Sequence, residues 1–288
     1  VQVEAIIRNI QCERDIELGI NVFENGKRTA IYNKENGKLM SNSVLCSLKD
    51  SENNLWFGTY LGNISHYNKQ SGEFKTIELE KGKLLDIRTF YEDQEKNIWI
   101  GTHKGIYVFS LSKKKVVKHY NTLNCQLPEN LVRSIAQDDK GRFWIGTFGG
   151  GIGVYTPQMQ LIKKFNQYEG FCSNTINSIY LSKSKQVWVA TGEGLVCFPT
   201  SDSFDYQIFQ REEGLPNTHI RAITEDENSN IWVSTNTGIS CYIIAQKRFY
   251  NYDHFNNIPQ GNFMSGCVPK NNDGVIYFGS INGLCFFT

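Results

Sequence analysis

Three arginines hold matching positions in the sequence. Arg88, Arg133 and Arg221 each stand eleven residues before a tryptophan, at Trp99, Trp144 and Trp232. A guanidinium offers a planar fork of donors that fits carboxylate or sulfate, so three in equal phase have the makings of an anion site. The competing reading is that each arginine pairs with a local carboxylate or lines a solvated channel. Leu45 and Asn177 hold the same phase before Trp56 and Trp188, which interrupts the set. Amides and aromatics recur nearby. Tyr60, His103, Lys104, Phe148, Glu193, Asn236 and Asn282 follow the aromatic anchors, and Asn130, Asn174, Arg211, Asn217 and His219 precede the next ones. Such side chains suit sugar hydroxyls and ring faces. Asparagine and glycine also serve turn geometry with no ligand at all.

Other chemistries are weaker. Glu92-Asp93, Asp138-Asp139 and Glu225-Asp226 look like metal ligands. They recur at one point of a repeat, however, where a β-turn favours Asp, and are too dispersed to share an ion. His103 and Glu193 fall on the same face as the arginines, but a general base needs a positioned partner; His66, His119 and His254 have none legible in the sequence. No catalytic residue, metal ligand or cofactor is assigned. None of the eight cysteines forms a C-x-x-C pair. Cys46, Cys197, Cys241, Cys267 and Cys285 fall in expected strands, as small buried apolar groups. Cys125 and Cys172 lie in loops, where a disulfide between them is one alternative; Cys12 is left unassigned.

The elements that position these groups come from a repeat. Leu55-Trp56-Phe57-Gly58-Thr59 is followed by Ile98-Trp99-Ile100-Gly101-Thr102, Phe143-Trp144-Ile145-Gly146-Thr147, Val187-Trp188-Val189-Ala190-Thr191, Ile231-Trp232-Val233-Ser234-Thr235 and Ile276-Tyr277-Phe278-Gly279-Ser280. The anchors are 43, 45, 44, 44 and 45 residues apart. A glycine follows each by six residues, and Val44, Ile87, Val132, Ile176 and Ile220 precede by twelve. Each unit reads as four short strands. In the third these are about 132–137, 143–147, a strand ending near Tyr155 before Pro157, and 161–165. Both-face burial explains the continuous apolar runs. The small residue two after each anchor leaves room for a neighbouring sheet, and the anchor fills the wedge between sheets.

The expected fold is all-β: one β-propeller domain over residues 1–288, of four-stranded antiparallel blades stacked radially. Seven blades are favoured and six are the alternative. Residues 1–43 form a degenerate unit in which Gly19–Phe23 keeps the phase and Glu13 replaces the anchor. Val1–Ile7 supplies either an outer strand to the last unit or a strand to its own. All five tryptophans are absorbed as anchors, so sugar stacking would fall to Tyr or Phe in loops. Lys113-Lys114-Lys115 reads as a solvated turn.

Thirty basic residues against 29 acidic ones argue against nucleic-acid or membrane-surface binding, and no apolar run approaches the ~20 residues of a membrane helix. A chain starting at Val1 reads as processed or excised.

Phe143–Gly151 and the stretch from Gly214-Leu215-Pro216-Asn217 through Ile220–Asp226 to Ile231–Thr235 closely resemble the two-component regulator propeller repeat. The resemblance covers about 44–288 well and 1–43 weakly. In that family such repeats form the periplasmic sensor of hybrid two-component systems of polysaccharide-degrading bacteria. There, two propellers and a small β-sandwich precede a membrane span, histidine kinase, receiver and DNA-binding module. The resemblance implies a periplasmic ligand-sensing propeller, or part of one, that binds an oligosaccharide or other small ligand and signals through modules outside this chain. Its expected partners are that ligand, the rest of the sensor kinase chain and a second copy of itself; nucleic acid and direct membrane insertion are not expected. The candidate ligand residues are Arg88, Arg133, Arg221, Tyr60, His103, Phe148, Glu193, Arg211, His219 and Asn236. A structural or protein-docking propeller is the alternative. A propeller lyase or glycan-active enzyme ranks third, because the Ser-x-Asp-x-Gly-x-Thr-Trp boxes of a propeller sialidase are absent.

Overall fold

The computed structural model describes residues 4–8, 19–24, 27–199, 203–259, 261–265, 275–280 and 283–287. Cys12, Glu13, Cys267 and Asn282 lie outside them. The chain divides into two compact units, Val1–Tyr120 and Asn121–Thr288.

The first unit holds three antiparallel sheets. One has three strands, Glu4–Arg8, Gly19–Glu24 and Lys27–Tyr32. The strand near the N-terminus therefore joins its own unit, pairing with Gly19–Glu24. Two four-stranded sheets follow. The first runs Val44–Lys49, Leu55–Thr59, Ile64–Asn68, Glu73–Ile77; the second runs Ile87–Glu92, Asn97–Thr102, Gly105–Ser110, Lys115–Tyr120.

The second unit repeats the pattern three times. Val132–Gln137, Phe143–Thr147, Ile152–Tyr155 and Leu161–Phe165 form one sheet. Ile176–Leu181, Val187–Thr191, Gly194–Phe198 and Gln207–Phe209 form the next. Ile220–Glu225, Ile231–Thr235, Ile239–Ile243 and Arg248–Tyr252 form the third. Ile276–Ser280 pairs with Gly283–Phe287 in a two-stranded sheet. Helix among the described residues is limited to three single 3-10 turns, at Gln167–Glu169, Ile244–Gln246 and His254–Asn256.

Core forms between consecutive sheets. Val44, Ile87, Val132, Ile176 and Ile220 are all fully buried or nearly so, each burial worth about 1.5–3 kcal/mol. Trp144 reaches the next sheet, its ring centroid 4.9 Å from that of Phe198, and Trp56 does the same with Phe109 at 5.4 Å. A Cβ on Gly146 would sit 2.4 Å from Ile176 Cγ2, and one on Gly58 would sit 2.6 Å from Ile87 Cγ2. At Gly58 and Gly146 the small residue of the repeat is thus set by the approach of the neighbouring sheet.

Two polar devices recur. A threonine ends each second strand, and its hydroxyl donates to a carbonyl across the following turn at 2.8–3.1 Å, in Thr59, Thr102, Thr147, Thr191 and Thr235. In four of the five four-stranded sheets an aspartate opens the second-strand hairpin and accepts the indole N–H of the anchor. The pairs are Asp50–Trp56, Asp93–Trp99, Asp138–Trp144 and Asp226–Trp232, at 2.7–2.9 Å. The aspartates of the acidic pairs stand at the turns, whereas Glu92 and Glu225 end the preceding strands and accept the Ser51 and Lys183 amides of the previous sheet; no group of acidic, His or Cys side chains among the described residues is arranged to hold a metal.

Cys125 and Cys172 are free thiols, so the disulfide alternative is set aside. Burial pushes Cys125 and Cys285 up to about 11, and Cys197 and Cys241 up to about 12. These behave as apolar core groups, while Cys46 is partly buried. Lys113, Lys114 and Lys115 are exposed on their turn.

Candidate functional site

The candidate residues gather where each first strand begins. In all five four-stranded sheets the pairing of first and second strands slips at the second residue. The residues that fall at this bulge are Leu45, Arg88, Arg133, Asn177 and Arg221. A bulged residue gives up its ladder partner and its side chain is re-aimed. For Arg133 and Arg221 the side chain meets the turn between second and third strands of its own sheet, at Phe148 and Asn236.

In the first unit Arg88 is held by a carboxylate. Its Nη2 is 2.9 Å from Asp86 Oδ2, and its Cζ lies 5.9 Å from the Tyr60 ring. Asp86 also accepts the Leu61 amide through Oδ1, and its own amide donates to His103 Nδ1 at 3.2 Å. The Arg88 Nε is buried without a hydrogen-bond partner. Asp86 offsets most of this charge, and sequence reasoning had not marked it.

In the second unit three consecutive sheets contribute to one network. Arg133 lies over the Phe148 ring, Cζ 4.3 Å from its centroid, and donates from Nη1 to Asn177 Oδ1 at 2.8 Å. Asn177 donates in turn to the Ile220 carbonyl at 2.7 Å, and its Nδ2 is 3.5 Å from His219 Nε2. Arg221 donates from Nε to Asn236 Oδ1 at 2.7 Å. Asn177, read from sequence as a gap among the arginines, is the fully buried link between Arg133 and the next sheet. Its equal phase with the arginines was the available signal.

Charge in this network is lopsided. Burial pushes Arg221 down from its ordinary pKa. Its hydrogen-bond partner is a neutral amide, not a carboxylate. Burial also lowers His219; Arg221 and Arg133 add to the shift and Glu193 opposes it, so the imidazole is neutral at pH 7. Phe148 is 44% exposed beside the guanidinium.

The remaining candidates are separate. Glu193 is exposed on its turn, its carbonyl taking a bond from Gln210, and Arg211 is exposed on a loop. Asn130, Asn174 and Asn217 bond to the backbone of their own loops. Lys104 is fixed by its backbone, N–H to Thr102 Oγ1.

The two-component regulator propeller model matches residues 38–61, 83–104, 126–149 and 214–237. Each matched stretch runs from an inter-sheet loop through the bulge to the turn after the tryptophan. No curated protein matches the chain. Among solved structures, the extracellular domain of a protein described as a hybrid two component system of B. thetaiotaomicron is 72% identical. Its TM-score is 0.89, over 93% of this chain and 36% of that one. This chain thus spans about a third of that relative. A second extracellular domain from B. thetaiotaomicron, described as a one component system, is 18% identical with TM-score 0.52, over 92% of this chain and 43% of that one. An inactive variant of virginiamycin B lyase from Staphylococcus aureus, solved with quinupristin, is 15% identical. Its TM-score is 0.72, over 98% and 97% of the two chains. At such identities the last two likenesses carry fold alone. No helix among the described residues is long and apolar enough to cross a membrane.

Proposed function

The chain carries two-component regulator propeller repeats, and on that premise we propose that it is a ligand-sensing propeller, or part of one, in the periplasmic region of a hybrid two-component receptor. The ligand is an anionic oligosaccharide, bound in the second unit at the sheet edge carrying Arg133, Phe148, Asn177, His219 and Arg221. The signalling modules lie outside this chain, which itself catalyses nothing. Counting the sheets within residues 4–32 and 276–287 beside the five four-stranded ones, seven is the blade count this reading favours.

One observation carries the ligand reading. Arg221 is half buried, its pKa is lowered by burial, and its hydrogen-bond partner is an amide oxygen. A partly desolvated guanidinium without a carboxylate partner is stabilised by an incoming carboxylate or sulfate, through charge-assisted hydrogen bonds. Phe148 offers a ring face to the sugar's C–H groups beside that charge.

Calorimetric titration with uronic and sulfated oligosaccharides tests this. Arg221→Ala is expected to weaken binding tenfold or more, with Arg133→Ala weakening it less. Unchanged affinity in both variants defeats the reading.

A protein-docking role is the second reading. Leu123 and Tyr168 stand 93% and 95% exposed on two successive inter-sheet loops of the second unit, and exposed apolar groups of this kind commonly mark contact surfaces. It requires self-association, measured by light scattering, that Leu123→Ser and Tyr168→Ser abolish while glycan affinity is retained.

A further inference from the structure

The second unit contains a cavity of about 370 Å³ lined by Pro216, Asn236, Thr237, Asn251, Asp253 and His254, among others. That volume is at the lower end of the ~300–1,000 Å³ typical of ligand pockets. None of the sequence candidates except Asn236 pointed to it. It lies between the turn after Ile231–Thr235 and the loop after Arg248–Tyr252.

The hydrogen-bonding capacity left over in its wall is specific. Asn236 gives its Oδ1 to Arg221, which leaves the NH2 group to donate. Asn251 uses its Nδ2 on the Gly214 carbonyl, which leaves Oδ1 to accept. The Asp253 carboxylate takes the Phe255 amide through Oδ1 and caps the His254–Asn256 turn, and as an ionised group it has further lone pairs to accept with. Donor and acceptors on one wall match hydroxyl groups, each of which gives one hydrogen bond and takes others. His254, which lines the cavity, packs its ring against that of Phe255 with centroids 3.9 Å apart, and Phe255 is 83% exposed. The lining includes a carboxylate and neither Lys nor Arg. A negatively charged sugar is repelled there and a neutral one is not.

Asn236 joins this cavity to the anion site, because one side chain lines the first and holds Arg221 of the second. Building on the anionic-glycan reading, we propose that the cavity is a second subsite that takes a neutral sugar unit. The ligand is then an oligosaccharide in which an acidic sugar and a neutral one are linked neighbours, the acid group at Arg221 and the neutral ring in the cavity.

The test uses three probes on the chain as it stands: a monomeric uronic acid, a disaccharide of one uronic acid and one neutral hexose, and a disaccharide of two uronic acids. The wild-type protein is expected to bind the mixed disaccharide at least tenfold more tightly than either other probe. Thr237 is exposed, so Thr237→Trp fills the cavity without touching the core; it is expected to remove the tenfold advantage and leave the monomer's affinity unchanged. His254→Ala is expected to reduce the advantage in part. Arg221→Ala is expected to weaken all three. Equal binding of mixed and doubly acidic disaccharides, or an advantage that survives both Thr237→Trp and His254→Ala, overturns the subsite and leaves the anion site standing. Failure of the wild-type protein to bind any probe overturns both.

Discussion

The aspartate that opens four of the five second-strand hairpins supports both turn and core. Asp138 Oδ1 takes the amides of Lys140 and Arg142, while Oδ2 takes the Trp144 indole and the Arg142 guanidinium. Asp138→Ala therefore leaves several buried donors without partners and is expected to cost about 3–5 kcal/mol, read as a loss in urea midpoint. The fourth repeat supplies a control. Ser182 stands where the aspartate would be, and its hydroxyl takes only the Gln186 amide of these donors. The Trp188 indole N–H is buried with no partner. Ser182→Asp is expected to recover about 1–3 kcal/mol, and an unchanged or lowered midpoint contradicts this pairing rule. The same repeat lies outside the segments matched by the family model.

Histidine sets an acid limit at the same scale. Burial pushes His66 and His219 below their ordinary pKa. The unfolded chain takes up these protons near pH ~6.5 while the folded chain resists. The unfolded state then binds more protons, and stability falls as pH drops below that value. The melting midpoint is expected to decline from pH 7 to pH 5.5, less steeply in His66→Phe, which keeps a ring against Trp56. An equal slope in that variant removes His66 from the account.

Sheet spacing acts at the level of the element. Gly146 lies where a Cβ would meet Ile176, so Gly146→Ala is expected to cost about 1–3 kcal/mol through overpacking, measured by denaturant unfolding. A neutral result would mean that the sheets part easily there. Much of this level was legible in advance: strands at 132–137, 143–147 and 161–165 fall where the repeat phase put them. Periodic apolar runs set those bounds, and six copies reinforce one another. The bulge at Arg88, Arg133 and Arg221 was not legible, because a slip of one residue leaves no compositional mark. The Asp–Trp bond was hidden differently. Asp at a turn is already explained by turn geometry, and its second role shows only once Asp50, Asp93, Asp138 and Asp226 are each seen six residues before a tryptophan.

At the scale of the molecule, site residues were legible to the extent that they share a repeat phase. Arg133, Asn177 and Arg221 do, and the structure joins Arg133 to Asn177 directly. Asp253 and His254 do not stand out in sequence, because a cavity wall assembled from a loop and the neighbouring turn has no periodic signature. The measurement that bears most directly on the sensor account is a thermal-shift screen of the wild-type chain against neutral, uronic and sulfated oligosaccharides. A ligand at about 100 times its dissociation constant stabilises by roughly 2.7 kcal/mol, a rise of several degrees for a domain of this size. The account predicts that rise with an acidic glycan class and little or none with neutral ones. No shift with any acidic glycan, or an equal shift with neutral ones, contradicts it.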